Sequence, residues 1–241
     1  ANGIDPGLLS TCAELDIPVF VGAPGDASDM LNSVKLWAMA QLGLLDHKFE
    51  IDVHREVFES CAYHFWGLTQ SERRQIAVLI LGGGVPKNFI LQPEPTLSQI
   101  FLLEGIRGYD WDAQIVGAPV TDGSLTSAKP NEAYTWAKVS REALESGATE
   151  SYATDYSTVM PWIAWALLDK RRRYIDRAAQ IGQDELFRQD PKARGYIRPE
   201  GQLRLYRRRD ELMKNLLERI GADDTVAKLV ATMRFPLPDV G

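Results

Sequence analysis

Ile76-Ala-Val-Leu-Ile-Leu-Gly82-Gly83-Gly84-Val-Pro-Lys87 decides the fold class. An apolar run that stops abruptly at glycine reads as a buried parallel strand, and glycines without Cβ atoms let the following backbone approach a ligand closely. Ile17-Pro-Val-Phe-Val21 and Ala113-Gln-Ile-Val-Gly117 have the same character, and Ser151-Tyr-Ala-Thr154 is a weaker fourth strand candidate. Helical patterns occupy about 29 to 43, 51 to 67, 96 to 106 and 131 to 146, the second with Val53, Val57, Cys61 and Phe65 at helical spacing. Strands alternating with helices predict an α/β fold, a Rossmann-like parallel sheet flanked by helices.

In open sheets of this kind, ligands sit beyond the carboxyl ends of the strands. Three candidate motifs follow predicted strands: Gly22 to Asp29, Gly82 to Asn88 and Ala118 to Thr126. The three glycines match neither the dinucleotide G-x-G-x-x-G spacing nor the phosphate-loop spacing, so alone they carry little. The third motif continues into Asp122-Gly-Ser-Leu-Thr-Ser-Ala-Lys-Pro-Asn-Glu-Ala-Tyr-Thr-Trp-Ala-Lys138.

Lys138 has Trp136, Ala137 and Val139 as apolar neighbours. An apolar setting favours the neutral amine that a lysine nucleophile needs. Asp29, Asp122 and Glu132 could hold ammonium groups, with Trp136 as an aromatic wall one helical turn from Glu132. Each also has a plain structural role: a helix cap for Asp29, a turn for Asp122, a dipole partner for Glu132 and a core anchor for Trp136. Their concentration around strand ends favours a shared site. His47, His54 and His64 have no metal spacing and read as structural or surface residues. Cys12 and Cys61 match no metal or redox pattern and read as buried thiols.

The stretches 79 to 87 and 122 to 138 resemble the deoxyhypusine synthase family. Its motifs read approximately Leu-Gly-Gly-Gly-Val-x-Lys-His and Asp-Gly-Ser-Asp-Ser-Gly-Ala-x-Pro-x-Glu-Ala-x-Ser-Trp-Gly-Lys. The resemblance covers about 15 to 165 and corresponds to the carboxyl-terminal part of a family member. It implies an NAD-dependent transfer of an aminobutyl-type group from a polyamine: spermidine is oxidised, the imine is captured by a lysine, and the group passes to an acceptor amine. Carried over by position, Lys138 is the nucleophile, and Asp29, Glu132, Trp136 and Asn88 are substrate-side. Gly82, Gly83, Ala118, Asp122, Ser124 and Asp155 are cofactor-side, with Thr154 the neighbouring candidate.

Asn88 replaces the family histidine and cannot act as a general base. Leu125 replaces a carboxylate, and Asp26 lies in a shortened loop. These departures point away from modification of the translation factor itself and toward another amine substrate or acceptor, as in a homospermidine-forming relative. The amino-terminal part of the family has no counterpart here. The resemblance therefore implies a second chain supplying that half, in a tetramer-like homo- or hetero-oligomer. The open alternatives are a relative with altered chemistry on another diamine or basic amino acid, and a non-catalytic subunit completing a partner's site.

The 241 residues suffice for a sizeable core, and the predicted division is an α/β domain at 1–168 and a helical basic extension at 169–241. Net charge is −6, from 27 Lys and Arg against 33 Asp and Glu. Residues 170 to 209 hold thirteen basic and five acidic side chains, leaving the remainder strongly acidic. That balance disfavours a nucleic-acid partner. Runs such as Arg171-Arg172-Arg173 and Arg207-Arg208-Arg209 are expected to pair with acidic neighbours. No run reaches the roughly 20 apolar residues of a membrane span, and the amino terminus lacks an export pattern, so the sequence-based expectation is a soluble cytoplasmic protein without a membrane partner.

Overall fold

The computed structural model describes residues 7–46, 51–128, 145–197 and 204–232, with the backbone only at Asp29 and Val120. In chain order its principal elements are helices α1 (Leu8–Glu14), α2 (Ser28–Gln41) and α3 (Val53–Thr69), strand β1 (Ala77–Leu81), helix α4 (Gly84–Leu91), and strands β2 (Trp111–Val116) and β3 (Thr149–Ala153). Helices α5 (Tyr156–Ile181), α6 (Gln183–Gln189), α7 (Ala193–Ile197), α8 (Arg209–Ile220) and α9 (Asp223–Thr232) follow. They form two compact units, Phe20–Ala153 with Arg209–Gly241, and Ala1–Val19 with Thr154–Arg208.

The first unit contains the sheet, which is parallel in the order β1-β2-β3, with Ala77 opposite Trp111 and Asp112 opposite Thr149. This is a Rossmann-like α/β arrangement, as the sequence predicts. Asp52 starts α3 by accepting a hydrogen bond from the Arg55 amide at 3.0 Å, satisfying one free N–H of the first turn. Cys61, Ala62, Phe65 and Leu68 then bury one face of the helix. Gly67 permits its approach to the sheet, because a Cβ there would lie 2.4 Å from Ile76 Cγ2.

Val78 and Ile80 pack with Leu91 and Tyr109 to make the core between β1 and α4. Burying each aliphatic side chain contributes about 1.5–3 kcal/mol. Helix α8 packs against α3, burying Leu212 and Leu216 completely. The accompanying Arg55–Asp210 ion pair, 3.1 Å long, is exposed on both sides and adds at most about 1 kcal/mol.

In the second unit, Asp155 caps the 26-residue helix α5, and Leu186, Phe187 and Ala193 cluster with Tyr174, Ala178 and Ile197. The sequence boundary at 168/169 falls inside α5: the change from apolar to basic composition occurs along one continuous helix. Several arginines pair with acidic side chains of their own unit, Arg173 with Asp169 and both Arg204 and Arg207 with Asp16. No described helix is long and apolar enough to cross a membrane.

The structure corrects three sequence expectations. Residues 17–21 are not a strand: Pro18 has no N–H to donate, and Phe20, which belongs to the first unit, packs against Tyr63 and Phe89 instead of a strand partner. The helix over 96–106 is only a five-residue π turn, Thr96–Ile100, following the prolines at Pro93–Pro95. It stops where Leu102 takes a φ of 56° and the Leu103 amide returns to the Leu97 carbonyl. Finally, β1 is not buried on both faces, since Leu79 remains 51% exposed while Val78 and Ile80 are buried.

Candidate functional site

The site begins where β1 ends. Gly82 adopts a φ of 72°, a conformation that favours glycine, and its amide donates to the Ile115 carbonyl on β2 at 2.8 Å. The chain then turns through Gly83 into α4, whose first residue is Gly84. An added Cβ at Gly84 would stand 2.9 Å from Leu125 Cβ and 3.3 Å from the Thr126 amide nitrogen. Gly84 therefore allows the loop after β2 to lie directly on the start of α4.

A second close approach brings in the first motif. An added Cβ at Gly22 would lie 3.2 Å from Val85 Cγ1 and 3.3 Å from Phe89 Cβ. The Gly22 segment thus packs on α4 even though no strand precedes it. All three segments picked out by the sequence converge on α4 beyond the carboxyl end of β1.

Beneath that junction lies a buried polar cluster. Lys87, 7% exposed, donates from Nζ to Gln114 Oε1 at 2.8 Å and to the Ala128 carbonyl. Gln114, fully buried on β2, donates through Nε2 to the Thr126 carbonyl at 2.8 Å. Asp112 is also buried on β2. Burial raises its carboxyl from 3.8 to about 6, with the Lys87 charge opposing that rise. Its Oδ1 has no hydrogen-bond partner among the described residues.

The predicted cofactor-side residues separate into two groups. Gly82, Gly83, Ala118, Asp122 and Ser124 all occupy the loops following β1 and β2, with Asp122 exposed on a short turn and Ala118 half-buried. Ser124 Oγ is buried, with no hydrogen-bond partner among the described residues. Asp155 instead belongs to the second unit, where its Oδ1 accepts from the Ser157 amide at 2.8 Å. Hydrogen bonding from Ser157 lowers its pKa, and the geometry is that of a helix cap.

On the substrate side, Asn88 and Leu125 line a cleft of about 510 Å³ with Gln92, Thr96, Gln99 and Ile100. The two departures from the family pattern therefore share one wall system. The Asp29 backbone is at the start of α2, while Glu132, Trp136 and Lys138 lie outside the described residues. His64 is a core residue: Nε2 meets the Arg107 carbonyl at 2.9 Å, the ring sits edge-on to Tyr109, and burial lowers its pKa to about 4. Burial raises the Cys61 thiol to about 11, so it is an inert packing group, whereas Cys12 is half-exposed.

Sequence reading missed the Lys87–Gln114 cluster. A lysine inside a Gly-rich motif and a glutamine flanked by apolar strand residues were the available signals, since both polar groups must find partners if that motif is buried.

These features define a parallel α/β protein whose glycine-rich strand ends gather around a polar loop. The deoxyhypusine synthase family profile matches residues 3–167, and the chain belongs to that family. It is 34% identical over 180 residues to a deoxyhypusine synthase-like protein of Thermosynechococcus vestitus, covering 72% of this chain and 43% of that protein. A deoxyhypusine synthase-like protein of Nostoc punctiforme is 34% identical over 163 residues, covering 68% and 39% respectively. A probable deoxyhypusine synthase 1 of Methanosarcina acetivorans is 30% identical over 139 residues, covering 58% and 37%. The chain thus spans less than half the length of these relatives.

Proposed function

We propose that this protein is an NAD-dependent transferase that moves an aminobutyl-type group from a polyamine through Lys138 to an amine acceptor. The carrying observation is the junction of Gly84 with Leu125 and Thr126, which sets two glycine-rich or polar loops together at the end of a parallel sheet. Ser124 Oγ, without a hydrogen-bond partner among the described residues, and the glycine turn at Gly82 and Gly83 suit a cofactor that must be approached closely by backbone.

When bound, NAD supplies the redox chemistry, accepting hydride from the carbon beside an amine nitrogen and returning it at the end. The chain's own residues bind and orient. Ser124 and the Gly82–Gly83 backbone hold the cofactor side, and Asp29 and Glu132 hold ammonium groups. Trp136 flanks the methylene chain. Lys138, as a neutral amine, attacks the oxidised carbon with loss of the departing amine, and the acceptor amine then displaces the lysine. The reading includes a homo- or hetero-oligomer.

Asn88 and Leu125 in the same cleft favour an acceptor or donor other than the one the family name implies. Asn88 offers an amide in place of a base, and Leu125 an apolar surface in place of a carboxylate. The test is transfer of label from a carbon-labelled polyamine to added amines by the native assembly, with and without Lys138→Ala. Transfer abolished by the substitution supports the reading. Undiminished transfer by the Lys138→Ala assembly overturns it and assigns the chain a non-catalytic role, a second reading favoured by the same two substitutions. Release of oxidised or cyclised amine without transfer would instead assign altered chemistry.

A further inference from the structure

We infer that Lys87 and Gln114 form a buried clamp that positions the loop from Ser124 to Ala128, and through it the cofactor side of the site. Neither residue is among those assigned above to ligand binding, and both are buried, Gln114 completely. Removing an amine and an amide from water is unfavourable unless each polar atom is paired. Here the geometry ties both residues to one loop. Lys87 Nζ donates to Gln114 Oε1 and to the Ala128 carbonyl, and Gln114 Nε2 donates to the Thr126 carbonyl.

The result is that α4, β2 and the loop after β2 are joined by a single chain of hydrogen bonds. Two loop carbonyls, separated by one residue, are fixed from below, while Ser127 closes the loop on itself through hydrogen bonds from its amide and hydroxyl to the Ser124 carbonyl at 3.1 and 2.9 Å. Ser124, whose Oγ has no hydrogen-bond partner among the described residues, is therefore held in place by residues outside the set assigned to the cofactor side. Lys87 also lies three residues beyond Gly84, so the same side chain ties the Gly82–Gly84 turn to the opposing loop.

The inference has a structural part, independent of the chemistry, and a consequence for NAD that rests on the proposed function. Hydrogen exchange of the full assembly, read separately over 118–128 and over β1 and α3, tests the first. Lys87→Met removes the Lys87 donations to Gln114 and Ala128, and Gln114→Glu keeps the acceptor for Lys87 but loses the donor to Thr126. In both variants the 118–128 amides are expected to exchange about tenfold faster, with β1 and α3 unchanged, as expected for loss of one or two buried hydrogen bonds confined to a loop. Lys87→Arg, which keeps donors in reach, is expected to restore protection.

NAD binding, measured by calorimetry, is expected to weaken about tenfold in the same variants, and Lys87→Arg to recover it. Unchanged exchange over 118–128 in a folded Gln114→Glu protein would overturn the clamp, as would loss of protection spread evenly over the whole unit. Absence of NAD binding by the unmodified assembly would sink the proposed function while the exchange comparison still decides the clamp. If Lys87→Met does not fold, Gln114→Glu and Lys87→Arg give the same decision.

Discussion

Replacing Gly84 by alanine opposes two effects of known sign. Gly84 is the first residue of α4 and does not need a positive φ, so on helix preference alone alanine would stabilise the protein by about 0.5–1 kcal/mol. Against this, the new methyl would sit 2.9 Å from Leu125 Cβ, 3.2 Å from Thr126 Oγ1 and 3.3 Å from the Thr126 amide nitrogen. Leu125 Cβ and the Thr126 nitrogen move only with their backbone, so the loop itself must shift. Such overpacking costs about 1–3 kcal/mol, which exceeds the helix gain. Urea denaturation should therefore show Gly84→Ala to be less stable by roughly 1–2 kcal/mol. A cycle with Leu125→Gly, which removes the nearest clashing atom, should recover about 1 kcal/mol as coupling. A Gly84→Ala protein as stable as the parent, with no coupling to Leu125, would refute the direct contact between the two loops and with it the geometry of the site.

The remaining predictions concern titration and ion pairing. Because Asp112 ionises near pH 6 in the fold against 3.8 in the open chain, the stability it confers is complete below 3.8 and lost as pH rises through about 6, on the order of 3 kcal/mol. Asp112→Asn should lack that loss, so its melting temperature relative to the parent should be higher at pH 8 than at pH 4. His64 acts in the opposite direction. Its native pKa of about 4 gives stability present above 6.5 and lost as pH falls through 4, again on the order of 3 kcal/mol, and His64→Phe should lose less on acidification. Because the two windows overlap with opposite signs, the variants are more informative than the parent's pH profile. In the second unit, Asp16 accepts from Arg204 at 2.8 Å and Arg207 at 2.7 Å; although burial alone would raise its pKa, these guanidinium groups keep the carboxyl below its usual value. Asp16→Asn should lower the melting temperature, more at pH 7 than at pH 3.

The strands β1 and β2 were legible because their apolar runs end at glycines, and the same punctuation located the loops that meet at the site. Segment 17–21 has equal apolar content, yet strand identity also requires a partner, and Pro18 cannot complete a ladder. The early stop after Ile100 depends on Leu102 taking a positive φ, which leucine composition does not announce. Among candidate site residues, the sequence placed Gly82, Ser124 and Asp122 on strand-end loops, and these positions follow β1 and β2 in the structure. It could not show that Asn88 and Leu125, 37 positions apart, line a common cleft, because that depends on the side-by-side placement of β1 and β2. The Lys87–Gln114 pairing was hidden for the same reason: helix and strand periodicity describe one element at a time, whereas a buried donor and acceptor meet only when the elements pack.

The most direct measurement is borohydride reduction of the native assembly incubated with NAD and a polyamine, followed by peptide mass spectrometry. A reduced aminoalkyl adduct on Lys138, dependent on both NAD and the amine, is the predicted result. Continued amine transfer with Lys138 unmodified in every trapped sample would contradict a covalent route through that lysine.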